Sequence, residues 1–171
     1  MAAQDTPNTK DTKEVEQSFT RILYPTDFST TSEHALTYAI SLAKTYKAKL
    51  YLLHVIDEST EASGFYIPHL SYKKLDDEMK AAALKMLKSF CLKNLKGVKE
   101  YTFDVVEGIP YKEIAAYAVA EGINLIVMGS RGRTGIDRLV FGSTTERVLR
   151  KSACPVLTVH PPEEAYQETT S

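Results

Sequence analysis

Tryptophan is absent from the 171 residues, and cysteine occurs only twice, as Cys91 and Cys154, with no Cys-x-x-Cys pair. Two isolated thiols exclude a disulfide scaffold and give no zinc-binding spacing. No apolar run approaches the ~18 residues needed to cross a bilayer. The N-terminal stretch lacks the basic region and apolar core of a secretory leader, so the sequence predicts a protein of the reducing cytoplasm. An excess of one charge is missing too. Lys+Arg (21) and Asp+Glu (22) leave a net charge of −1, which removes the global basic field of a bulk nucleic-acid binder. Glycine is scarce, eight in all, yet four of the eight fall between residues 129 and 142.

What remains is an ordinary globular composition, 43% hydrophobic and 25% charged, of a length that favours one domain. Residues 1–18 are polar with almost nothing to bury and read as a disordered N-terminal arm. Residues 161–171 open on a double proline, hold three glutamates, and read as a flexible C-terminal tail. Between them, over 19–160, strand-like and helix-like patterns alternate. Strands are expected at 19–25, 49–56, 98–106, 123–128 and 156–159. The first helix is capped by Ser29 or Ser32, with Ala35, Leu36, Ala39, Leu42, Ala43 and Tyr46 on one stripe. The second runs over 71–95, with a stripe of Tyr72, Leu75, Met79, Ala82, Met86 and Phe90. A third starts at Pro110, and a short fourth covers 143–151. Five strands separated by helices predict an α/β fold: an open, parallel five-stranded sheet, Rossmann-like, with helices on both faces. Ligands in such sheets bind at the carboxyl ends of the strands, where the winding direction switches. The segments to search are therefore Pro25–Ser29, Val55–Glu58 and Gly129–Ser143.

The third of these carries the chemistry. Gly129, Gly132, Gly135 and Gly142 let the backbone turn tightly and let a ligand approach without a Cβ in the way. Ser143 and Thr144 then open a helix, whose unpaired N–H groups and positive dipole end attract anions. From Arg131 to Lys151 six basic residues stand against two acidic ones, inside a chain of net −1. The pattern points to a polyphosphate. It is not a P-loop, because no Gly-Lys-Ser/Thr occurs. Nor is it the dinucleotide fingerprint, which belongs at the first strand–helix turn.

The spacing Gly129-x2-Gly132-x9-Gly142-Ser143 resembles the ATP-binding signature of the universal stress protein family. ILYPTDFS (22–29), LLHVID (52–57), VVEGIP (105–110) and SACPVLTV (152–159) resemble that family as well. The resemblance implies a universal stress protein domain over 19–160 that binds ATP, ADP or AMP, with Mg²⁺ or Mn²⁺ on the phosphates. By the same resemblance Asp27, in a turn shaped by Pro25 and Thr26, approaches ribose and adenine. Its alternative role is to cap the first helix. Val55 and Met128 border the base. Gly129 and Gly132 fold over ribose and phosphates, Gly142, Ser143 and Thr144 cradle the phosphates, and Arg131 and Arg133 either reach them or are solvated. The resemblance further implies a homodimer through Val156, Leu157, Thr158 and Val159, an expected edge strand.

Other residues carry less. His54 reads as a satisfied core histidine within a buried strand, and His34, His69 and His160 lack metal-ligand spacing. Cys154, before Pro155, reads as buried and inert. The function expected is nucleotide-dependent regulation through conformation or partner choice. A slow ATP hydrolase or phosphotransferase is the alternative, since no base is evident to activate water. A nucleic-acid binder using 131–151 would lack interleaved aromatics apart from Phe141.

Overall fold

The computed structural model describes residues 19–57, 72–131 and 141–160, with only the backbone described for 72–76. The expected arm (1–18) and tail (161–171) lie outside the described residues.

Nine elements follow one another: β1 (Arg21–Pro25), α1 (Thr30–Tyr46), β2 (Lys49–Asp57), α2 (Tyr72–Asn94), β3 (Tyr101–Gly108), α3 (Pro110–Ala120), β4 (Leu125–Gly129), α4 (Ser143–Lys151) and β5 (Val156–Val159). The strands form one sheet in the order β3-β2-β1-β4-β5, and every neighbouring pair is parallel. The expected α/β fold with helices on both faces is what the chain adopts.

Alternation along the strands fills two cores. Ile22, Tyr24, Leu50 and Leu52 face α1 and α2, where they meet Ala39, Leu87 and Cys91. Leu23, Tyr51, Leu53 and Ile126 face α3 and α4, where they meet Ile114, Ala118 and Val148. A sheet covered on both faces needs strands apolar at nearly every position, and β2 and β4 supply them.

Several expected boundaries move, each for a local reason. Ile123 is not in β4, because its N–H closes the end of α3 on Ala118 O at 2.8 Å. Gly122, at φ 60, makes the left-handed turn that this closure needs. β3 begins at Tyr101 rather than Val98, because Val98 N still bonds back to Leu95 O. Phe19 precedes β1 and packs edge-on against Tyr46.

The larger correction concerns α2. Of its expected stripe, Met79 and Met86 are exposed and Phe90 is half-buried. The residues that enter the core are Leu87, Cys91 and, just past the helix, Leu95. The helix is rotated by about one residue's turn from the expected orientation. Cys154 is half-buried, not buried.

Candidate functional site

The sheet winds one way from β1 through β2 to β3 and the other way through β4 to β5. The carboxyl ends of β1 and β4 therefore lie side by side at the switch point, where such sheets leave a crevice.

A dense hydrogen-bond network builds the turn after β1. Thr26 N donates to Leu53 O at 2.8 Å, tying the turn to β2. Thr26 Oγ1 accepts from Phe28 N at 3.0 Å and lies 2.7 Å from Ser32 Oγ. Asp27 Oδ1 accepts from both Ser29 N, at 3.0 Å, and Ser29 Oγ, at 2.7 Å. Ser29 then caps α1 by accepting from Ser32 N at 3.2 Å. The cap is thus Ser29, and Asp27 sets the turn ahead of it. Beneath, the Tyr24 hydroxyl donates to Ser32 O at 2.8 Å. Burial pushes the Tyr24 phenol up to about 12, although its bonds with Ser32 and Thr26 pull the other way. Phe28 sits at φ 60, a left-handed conformation that disfavours a side chain by roughly 1–2 kcal/mol.

The opposite rim is made from both ends of the glycine segment. Ser130 N donates to Val159 O at 2.7 Å, Gly142 N to Ser130 O at 2.9 Å, and Thr145 Oγ1 to Gly129 O at 3.0 Å. Gly129 is packed so closely that a Cβ would lie 3.0 Å from Thr31 Cγ2 and 3.2 Å from Arg131 O. Gly142 is the N-cap of α4 and supplies no side-chain cap. The N–H groups of Ser143, Thr144 and Thr145, in the first turn, have no acceptor within the helix.

These walls enclose a cavity of ≈ 730 Å³. Ten of the twelve expected site residues line it: Pro25, Thr26, Asp27, Val55, Met128, Gly129, Arg131, Gly142, Ser143 and Thr144. The other two, Gly132 and Arg133, lie outside the described residues. The lining also includes residues that sequence reasoning missed. Met79, Ala82 and Met86 of α2 belong to it, because the rotation of that helix turns the expected core stripe toward the cavity. Pro110 and Ile114 contribute from α3, and Asp57 from the end of β2. His54 lines the cavity too, half-buried, with Nδ1 2.8 Å from Thr26 O. It is not a core histidine. Its signal was its position, one residue before the 55–58 segment already under search.

The cavity is therefore apolar at the strand ends and α2, carboxylate-bearing at Asp27 and Asp57, and rich in donors at α4 and Arg131. Among the described residues no three or more His, Cys, Asp or Glu side chains gather as a metal centre.

A Rossmann-like α/β domain with its cavity at the switch point is the class that fold and site define. The sequence model described as "Universal stress protein family" matches residues 18–160. Universal stress protein MJ0531 of Methanocaldococcus jannaschii is 36% identical over 153 residues, covering 87% of this chain and 86% of that protein. Universal stress protein MJ0577 of the same organism is 37% identical over 154 residues, covering 82% and 94%. The solved structure of MJ0577 superposes with a TM-score of 0.71, covering 86% of this chain and 99% of that one. Universal stress protein UspA from Lactobacillus plantarum, 28% identical, also gives 0.71, with 84% and 99% covered. The chain belongs to the universal stress protein family. No helix among the described residues is long and apolar enough to cross a membrane.

Proposed function

We propose that the cavity binds an adenine nucleotide, ATP or else ADP or AMP, and that occupancy regulates the protein's conformation or choice of partner. The observation that carries this reading is the meeting of unlike surfaces in one cavity. Val55, Met128 and Ile114 offer an apolar slot suited to a flat base. Asp27 offers a carboxylate that accepts from ribose hydroxyls, and Arg131 with the α4 N-terminus offers donors for phosphates. A nucleotide needs all three along one axis.

Mg²⁺ or Mn²⁺ fits this site when carried on the phosphates, because a hard cation takes oxygen ligands, the phosphates supply them, and the described residues gather no carboxylate cage of their own. Such an ion neutralises phosphate charge. Ser143 and Thr144 orient the phosphates, and the apolar strand ends exclude water from the base. The second reading, slow ATP hydrolysis or phosphotransfer, draws on the same donors. Phosphoryl transfer would further need a base positioned for the attacking group, and single-turnover hydrolysis of pre-bound ATP separates the two readings. On this reading the protein acts in the cytoplasm, with the nucleotide and not a nucleic acid as its ligand.

β5 is a terminal strand of the sheet, with Leu157 exposed. Pairing of Val156–Val159 with the same strand of a second copy would satisfy that edge and close a homodimer. In light scattering, Thr158→Pro is expected to convert a dimer to a monomer, and a wild-type monomer would refute the dimer.

The nucleotide reading is tested by denaturing the purified protein, identifying what it releases, and titrating the emptied protein with ATP and Mg²⁺ in a calorimeter. An adenine nucleotide and a saturable heat are expected. Absence of both overturns the reading.

A further inference from the structure

His54 contacts the turn after β1 in two ways. Its Nδ1 lies 2.8 Å from Thr26 O, and its ring centroid is 4.7 Å from that of Phe28, inclined at 44°. Phe28 is the residue held at φ 60, and its ring packs edge-on against Phe90 of α2 at 5.6 Å. Bulky side chains rarely adopt that backbone conformation, and it persists only where surrounding contacts enforce it. Those contacts come from β2, through His54, and from α2, through Phe90. Asp27 lies between the two residues His54 touches.

We infer that His54 is a positioning residue: as the Nδ1–H tautomer it donates to Thr26 O, braces the Phe28 ring, and so holds the strained 25–28 turn that carries Asp27 into the cavity. The tautomer follows from chemistry. A carbonyl oxygen only accepts, so Nδ1 bears the proton, and in the neutral ring Nε2 is the acceptor. The bond crosses from one strand end to the neighbouring turn, complementing the bond from Thr26 N to Leu53 O. Residue 26 is thus clipped to β2 through both its N–H and its C=O. The cavity's ligand meets a turn already fixed, so ordering it is not charged against binding. This assignment rests on the nucleotide reading for what Asp27 meets, but not for the clamp itself.

The test uses the full chain with His54→Leu, which keeps bulk and loses the donor, and His54→Asn, which keeps an N–H near the place of Nδ1. Three readouts are needed. Side-chain ¹⁵N spectra of the wild type are expected to show the Nδ1–H tautomer. Amide exchange at Phe28 and Ser29 is expected to rise about tenfold or more in His54→Leu, while the amides of β4 hold and His54→Asn stays near wild type. ATP affinity is expected to fall about tenfold in His54→Leu and to stay within about threefold in His54→Asn, the scale of one net hydrogen bond. An Nε2–H tautomer, unchanged exchange in the leucine variant, or failure of asparagine to rescue it overturns the clamp. Raised exchange with unchanged affinity overturns the positioning role. A wild type that binds no ATP refutes the nucleotide reading alone, and the first two readouts still decide the clamp.

Discussion

The two lips of the cavity are built on opposite plans. The lip after β1 is a closed structure: Tyr24, Thr26, Asp27, Ser29 and Ser32 bond to one another, and Ser29 caps α1. The lip between β4 and α4 is anchored from behind, through Ser130 and Thr145. Toward the cavity it presents a helix start whose N-cap is a glycine without a side-chain bond. One lip satisfies its own polar groups before any ligand arrives. The other leaves donors for the ligand to satisfy. A protein that binds an anion tightly and holds its shape without it needs both, since preorganisation lowers the ordering penalty and open donors supply the attraction.

The sharpest way to break this contrast is to block the open lip. Gly142 lies at φ −60 and ψ 150, a conformation any residue adopts, so Gly142→Val introduces no backbone strain. It trades a fair N-cap for a poor one, a stability loss of about 1 kcal/mol. Its branched side chain adds bulk to the cavity lining, where the phosphates are proposed to sit. ATP affinity should fall more than about a hundredfold, beyond 2.7 kcal/mol, while the thermal midpoint drops by only a few degrees. Calorimetry and a melting curve on the same sample check this. A variant that unfolds instead would make Gly142 a structural residue.

The closed lip should respond less. Asp27→Ala removes the carboxylate proposed for the ribose and also the acceptor for Ser29 N and Oγ. A hydrogen bond to a charged group is worth roughly 1.5–3 kcal/mol, so affinity should fall about 10–150-fold. Asp27→Asn keeps an acceptor oxygen for Ser29 and should recover the melting temperature more than the affinity. Equal recovery of both would mean that Asp27 serves the turn and not the ligand.

These lips differ in another respect, how much of each was legible in the sequence. The α4 lip announces itself through local chemistry: glycines at fixed spacing and hydroxyls at a helix start act through the backbone, wherever the rest of the chain packs. Element order was legible for a similar reason, since periodicity is a property of the segment. The closed lip was legible only in part. Pro25–Asp27 could be read as a turn, but Phe28 in a left-handed conformation could not, because ring contacts from β2 and α2, distant in sequence, help to enforce it. The third wall was misread. Met79, Ala82 and Met86 recur at helical spacing, as do Ala83, Leu87, Cys91 and Leu95. Two apolar stripes on one helix leave the rotation open, and tertiary packing chose the second. The sequence could not separate a stripe bound for the core from one that lines the cavity, because both are apolar.

Thr145→Val tests the anchor behind the open lip. The hydroxyl is buried and donates to Gly129 O at 3.0 Å. Valine keeps the shape and leaves that carbonyl short of a donor, a loss of roughly 1–1.5 kcal/mol. Stability measured in urea should fall by that amount. Affinity for ATP should fall several-fold, because the first turn of α4 loses its tie to β4. Unchanged affinity would show that Ser130 alone fixes the lip.

The smallest effect at neutral pH belongs to Tyr24→Phe, and its sign should reverse in alkali. Near pH 8 the variant lacks the donor to Ser32 O, a loss of about 1 kcal/mol, or roughly 2–4 °C in a chain of this size. Burial raises the Tyr24 phenol from 10.0 to about 12. Below pH 10 the phenol is protonated in both folded and unfolded chains, and its contribution to stability is fully present. Between pH 10 and 12 the unfolded chain releases the proton while the folded chain retains it, so unfolding gains and the wild type loses stability, up to roughly 2–3 kcal/mol. Phenylalanine has no proton to release. Burial also raises Cys91, from 9.0 to about 11, and Tyr117, where the Asp104 hydrogen bond adds to the effect. Both groups weaken either protein in alkali and cancel in the comparison. Urea titrations of both proteins at pH 8, 10 and 11 should therefore show the wild type's advantage shrinking and then inverting. An advantage constant across that range would mean that the Tyr24 phenol ionises without unfolding, and that the closed lip is open to solvent.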